Sequence, residues 1–91
     1  METEGIDEAM RDTIQEIVAD IVEVDVGDVG WTKHFWDELE ADSLQGIEIL
    51  AALERRLKIT IDQSRLAEMH DVRSTYEVVI AAMREPRSDA P

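Results

Sequence analysis

Three stretches of this sequence carry apolar residues at helical spacing, and only one short run alternates as a strand would. In the first, Ile6, Met10, Ile14, Ile17, Val18, Ile21 and Val22 follow the i, i+3, i+4, i+7 pattern, which predicts an amphipathic helix from Ile6 to about Val24. Asp7 and Glu8 suit the positive end of its dipole. The second runs from Leu44 through Ile47, Ile49, Leu50 and Leu53 to Leu57. The third places Val72, Tyr76, Val79, Ile80 and Met83 on one face, with a capping box predicted between Ser74 and Glu77. Lys58-Ile59-Thr60-Ile61 alternates but has no second strand to pair with, and reads as an extended connection. Asp62 to Met69 suits a short helix capped by Asp62, with Leu66 and Met69 inward. The sum is an all-α fold: a small four-helix bundle of three longer helices and one short one.

A chain of 91 residues supports one modest core. The helical domain is expected over residues 6–84, with 1–5 as a disordered N-terminus and 85–91, which contains the helix-stopping Pro86, as a disordered tail. Residues 25–42 form a long loop between the first two long helices. Its acids and glycines do not make a calcium loop, because the Asp-x-Asp-x-Asp-Gly order is absent and Trp36 stands where a glutamate is needed. Trp31, Phe35, Trp36 and Leu39 are instead expected to anchor the loop on the core.

Without cysteine there is no disulfide framework or thiolate zinc site, and two histidines, His34 and His70, are too few for a histidine-based metal centre. No run is long and apolar enough to span a membrane, and the acidic start does not resemble a signal peptide, so a soluble, cytoplasmic chain is expected, as a monomer. A net charge of −13 argues against nucleic acid and anionic membranes. The charge is lopsided: residues 1–54 carry 16 acids and two bases, whereas residues 55–91 carry six acids and seven bases. A partner with a basic surface would be steered to the acidic end.

That end holds Ser43. Asp42 is a good N-cap and Gln45 completes a capping box, which puts Ser43 at the first helical position with its hydroxyl outward. The helix then divides into two apolar sectors. Ile49, Leu50, Leu53 and Leu57, with Gly46 among them, form a core stripe. Leu44, Ile47 and Ala51, interleaved with Glu48, Glu54 and Arg55, form a second sector suited either to packing under the loop or to a partner protein. A hydrolytic role for Ser43 lacks a G-x-S-x-G elbow and a substrate pocket, so no catalytic residue is assigned. An unmodified acidic scaffold for a basic partner protein remains an alternative.

The run Asp37-Glu38-Leu39-Glu40-Ala41-Asp42-Ser43-Leu44, followed by Ile47-Glu48-Ile49-Leu50-Ala51-Ala52-Leu53-Glu54, resembles the acyl carrier proteins. Phe35, the Ile59-x-Ile61 segment and Val72 extend the likeness over nearly the whole chain. The resemblance implies that a phosphopantetheinyl transferase attaches 4′-phosphopantetheine from coenzyme A to Ser43, with Asp42 assisting through the transferase's magnesium. The arm's thiol then carries acyl groups. It also implies that Leu44, Ile47, Glu48, Ala51 and Glu54 face acyl-transferring or ketosynthase-type enzymes with basic docking surfaces. A helix N-terminus suits the resulting phosphodiester anion.

Three departures from the family pattern stand out. Glu40 replaces a usual glycine, so a different loop conformation is expected there. Gln45 replaces a commonly acidic residue. Arg55-Arg56 replaces acids of the fatty-acid-synthesis members and makes Arg55 a candidate docking residue. The balance favours polyketide or other specialised biosynthesis, with housekeeping fatty acid synthesis as the alternative.

Overall fold

The structure, a computed structural model, describes residues 7–84. The expected disordered termini, 1–5 and 85–91, lie outside the described residues, as do Ile6 and Pro86. Three α-helices span Glu8–Val22 (α1), Ser43–Leu57 (α2) and Val72–Arg84 (α3). Two 3₁₀ segments, Val26–Asp28 and Gln63–Glu68, lie between them, and there is no strand among the described residues. Helix α1 packs against both α2 and α3, while the second 3₁₀ segment bridges α2 and α3.

Local chemistry sets the helix ends. The Asp7 carboxylate accepts the Met10 N–H and opens α1. The helix stops at Val22, not Val24, because Glu23 turns left-handed (φ 65°) and the Val24 N–H reaches back to the Ala19 carbonyl. Lys58 ends α2 in the same way (φ 57°). The short helix predicted over residues 62–69 is a six-residue 3₁₀ segment, capped by Asp62 accepting from the Ser64 N–H. That bond holds the Asp62 carboxyl below its ordinary range.

The cap of α3 differs from expectation. Asp71 accepts the Ser74 N–H at 2.7 Å, and the Ser74 hydroxyl accepts the Asp71 N–H at 3.1 Å. The box therefore runs from Asp71 to Ser74, and Ser74 lies inside the helix rather than before it. Asp-x-x-Ser and Ser-x-x-Glu are equivalent as sequence patterns. The choice follows from Asp71 being 7% exposed, where its carboxylate needs those donors.

The core draws on all three α-helices and on the connections between them. Ile14, Ile17 and Val18 from α1, Ile49, Leu50 and Leu53 from α2, Ile61 and Met69 from the connections, and Val72, Tyr76, Val78 and Val79 from α3 are buried. Leu57 and Ile80 are half-buried at its edge, whereas Met83, expected inward, is exposed near the end of α3. Leu66 is likewise half-buried rather than fully enclosed.

The loop before α2 is fastened along its length. Val29 and Phe35 are each 1% exposed. The Gln15 amide donates to the Val29 carbonyl, and the Arg73 N–H donates to the Trp31 carbonyl. Trp31 meets Tyr76 edge-on at 5.7 Å, and the Phe35 N–H donates to the His70 carbonyl at 2.8 Å. Phe35 thus anchors the loop as predicted, with Trp31, Trp36 and Leu39 half-buried beside it. Val29 is an anchor that residue spacing did not indicate. Among the described residues no helix is long and apolar enough to cross a membrane.

Candidate functional site

The loop delivers the chain to α2 through a tight sequence of turns. The Ala41 N–H donates to the Phe35 carbonyl, Ala41 is buried, and Glu40 before it lies in the left-handed region at φ 59°. The backbone adopts a form that favours glycine, with a β-carbon in place.

Asp42 then caps α2. Its carboxylate accepts the Gln45 N–H at 2.9 Å, and the Gln45 side-chain oxygen accepts the Asp42 N–H at 3.1 Å. The capping box read from the sequence is present in full. Gln45 does more than close the box: its amide nitrogen donates to the Ile21 carbonyl at 3.4 Å and joins the start of α2 to the end of α1.

Ser43 is the first residue of α2 and is exposed. Among the described residues no group is hydrogen-bonded to its hydroxyl. The two imidazoles are engaged elsewhere: His34 and His70 stack on each other at 5.3 Å, and the Asp37 N–H donates to His34 Nδ1. No cluster of three or more His, Cys, Asp or Glu side chains is placed to hold a metal ion among the described residues. The arrangement offers an unencumbered hydroxyl at the positive end of a four-turn helix, which suits acceptance of an anionic group more than nucleophilic catalysis.

The residues beyond Ser43 separate as the helical spacing requires. Leu44 is 63% and Ile47 42% exposed, Glu48 and Arg55 are exposed, and Ala51 is half-buried. Leu44 and Ile47 therefore do not pack under the preceding loop. Glu54 sits apart from this group. It is half-buried, and its carboxylate accepts the Ile61 N–H at 2.8 Å, tying the end of α2 to the connection that follows. Arg56 turns the other way and approaches Glu16 of α1 at 3.9 Å.

Two features of this region were not apparent in the sequence. Gly46 faces Trp36 so closely that a β-carbon there would lie 2.8 Å from the indole ring, so the glycine is what lets the loop tryptophan seat on α2. Between α1 and α2 lies a groove of about 380 Å³ with Ile17, Ile21 and Ala52 along it and Glu16, Asp20, Arg55 and Arg56 around them. The acids of α1 and the arginines of α2 are separated by long stretches of sequence, and only the packing brings them together.

Residues 12–79 match the family model for the phosphopantetheine attachment site. The chain is 49% identical over 80 residues to Polyketide-8 synthase acyl carrier protein 1 of Streptomyces avermitilis, covering 88% of this chain and 95% of that one. It is 35% identical over 66 residues to the acyl carrier protein of Treponema denticola, covering 72% and 85% of the two chains. A chain in the solved structure of the ishigamide ketosynthase/chain length factor is 42% identical, with a TM-score of 0.66 over 79% of this chain and 90% of that one.

Proposed function

Because this chain belongs to the phosphopantetheine attachment family, we propose that it is the acyl carrier of a polyketide-type pathway, with Ser43 as the attachment point. The observation that carries the assignment of Ser43 is its place: an exposed, unbonded hydroxyl on the first turn of α2, beside the Asp42 cap. The group fits there. Its phosphodiester would lie against the free N–H groups and positive dipole of α2, which stabilise an anion. When attached, the arm supplies a terminal thiol that holds acyl groups as thioesters.

The attachment itself balances without any group resident in this chain. The Ser43 hydroxyl oxygen attacks the phosphorus of coenzyme A that bears the pantetheine. An oxygen–phosphorus bond forms to Ser43, the pyrophosphate linkage breaks, and adenosine 3′,5′-bisphosphate leaves. The hydroxyl proton passes to the transferase. In this reading Asp42, exposed and joined to Gln45 in the capping box, assists the transferase's magnesium. The chain contributes a substrate hydroxyl and a docking face, and catalysis belongs to its partners.

Leu44, Ile47, Glu48 and Ala51, with Arg55 and the less exposed Glu54, are the docking residues in this reading. The partners are a phosphopantetheinyl transferase and ketosynthase-type enzymes. Similarity to a chain in a ketosynthase/chain length factor structure supports the second class, and the 49% identity to a polyketide carrier supports the pathway over fatty acid synthesis. The reading also takes the chain as a cytoplasmic monomer, in the compartment that holds coenzyme A.

Incubation with coenzyme A, magnesium and a broad-specificity transferase should add the mass of one phosphopantetheine, and Ser43→Ala should add none. A mass gain that survives Ser43→Ala, or no gain with several transferases, overturns the assignment.

A further inference from the structure

Leu44, Glu48, Ala51 and Arg55 succeed one another at intervals of four, three and four residues and so form one line along the outer side of α2. This line changes sign along its length. It begins at the Asp42–Ser43 corner, passes Glu48 and ends at Arg55. Glu48 and Arg55 stand two turns apart, about 10 Å along the axis, which is about one Debye length at moderate salt. A partner therefore meets them as two separate charges rather than as a neutral pair.

Arg55 has no counter-ion of its own among the described residues. Arg56, Arg65 and Arg73 each lie within 4 Å of a carboxylate, on Glu16, Glu68 and Glu77. Arg55, exposed in a chain with 22 acids and nine Lys and Arg, lies within 4 Å of none among the described residues; the same holds for Arg11, Lys33, Lys58 and Arg84, but of these five only Arg55 stands on the outer line of α2. Its side chain borders the groove between α1 and α2, beside the apolar floor of Ile17, Ile21 and Ala52.

We infer that Arg55 is a specificity-determining docking residue, and that the partner enzyme presents a carboxylate to it about 10 Å from the basic group that meets Glu48. The inference deepens the partner reading above and rests on it. A uniformly basic partner surface would suit Asp42 and Glu48 and would be repelled at Arg55, so the sign change rejects such surfaces as well as accepting its match. A small free anion is not the occupant, because it meets Glu16 and Asp20 beside the guanidinium and gains nothing from Ile17, Ile21 and Ala52 to offset that repulsion. A protein side chain reaching the guanidinium covers that apolar surface as it arrives.

The test uses the phosphopantetheine-loaded chain and purified ishigamide ketosynthase/chain length factor, with affinity measured by calorimetry at low and high salt. Glu48→Lys reports the basic contact and Arg55→Glu the acidic one. Arg55→Glu should weaken binding about tenfold and Arg55→Gln about threefold, while Arg55→Lys stays near the parent, as an interfacial charge contact requires. Unchanged or tighter binding by both Arg55→Glu and Arg55→Gln, with Glu48→Lys still weakening it, overturns the inference and leaves the partner reading standing. No binding by the parent chain, or binding insensitive to both Glu48→Lys and Arg55→Glu, overturns the partner reading and the inference with it. Unfolding curves that match the parent's establish that each variant is folded.

Discussion

Replacing Gly46 with alanine sets two physical effects against each other. On an isolated helix the change should stabilise by about 1 kcal/mol, since glycine is the poorer helix former. In this fold the new β-carbon would sit 2.8 Å from Cη2 and 3.4 Å from Cζ3 of Trp36, with Leu66 at an ordinary 3.5 Å. The indole is rigid, half-buried and braced edge-on against Phe35 at 6.0 Å, so it cannot turn aside at small cost. Overpacking of this kind costs about 1–3 kcal/mol, which leaves a net loss of about 1 kcal/mol for Gly46→Ala. For a domain of this size that lowers the melting temperature by about 4–8 °C. In a Trp36→Ala background the obstruction is gone and the same substitution should stabilise by about 1 kcal/mol, giving a coupling of about 2 kcal/mol. Urea unfolding of the four proteins, followed by circular dichroism, measures the cycle. A Gly46→Ala protein as stable as its parent, or a coupling near zero, would refute the wedge argument.

Two further predictions concern stability. Glu40→Gly should stabilise by about 0.5–1 kcal/mol, because a left-handed backbone costs a β-carbon-bearing residue about 1–2 kcal/mol and glycine's unfolded-state entropy returns part of that. Glu40→Ala, which keeps the β-carbon, should show no such gain in thermal unfolding, and an equal gain from both would sink the argument. Asp62 binds its proton less readily folded than unfolded, since the Ser64 N–H and hydroxyl favour its charged form. The unfolded chain therefore takes up more protons near the ordinary value of 3.8, so this stabilisation is present above that pH and is lost as pH falls from it through the lower value of the folded chain. Asp62→Asn should flatten that part of the acid limb in urea titrations at pH 3–5, and identical limbs would count against the cap.

Much of the site was legible in the sequence because its partners are close in the chain. Asp42 and Gln45 are three residues apart, so the cap and the exposed Ser43 could be read directly, whereas helix geometry grouped Leu44 with Ile47 but left open whether the loop covers them. What could not be read depends on distant residues. Glu54 shares a sector with partner-facing groups, yet its carboxylate is held by an N–H seven residues on, beyond the end of its helix. Asp71 takes the cap of α3 from Ser74 because tertiary packing buries it. Val29 stands in a loop with no periodicity to mark it, and its burial depends on where Gln15 and the core lie. Glu40 holds a left-handed backbone that no local pattern announces, on a path set by the neighbouring anchors at Phe35 and Ala41.

The two-sided grip of Gln45 bears on how a group carried at Ser43 would move. One end of its amide closes the first turn of α2 and the other holds the last turn of α1, so the first turn of α2 cannot fray without releasing a second helix. The pivot is braced against the end of α1. The volume swept by a tethered thiol is then set by the rotations of the tether itself, and a partner that captures the tether fixes the thiol's position without having to immobilise the protein beneath it.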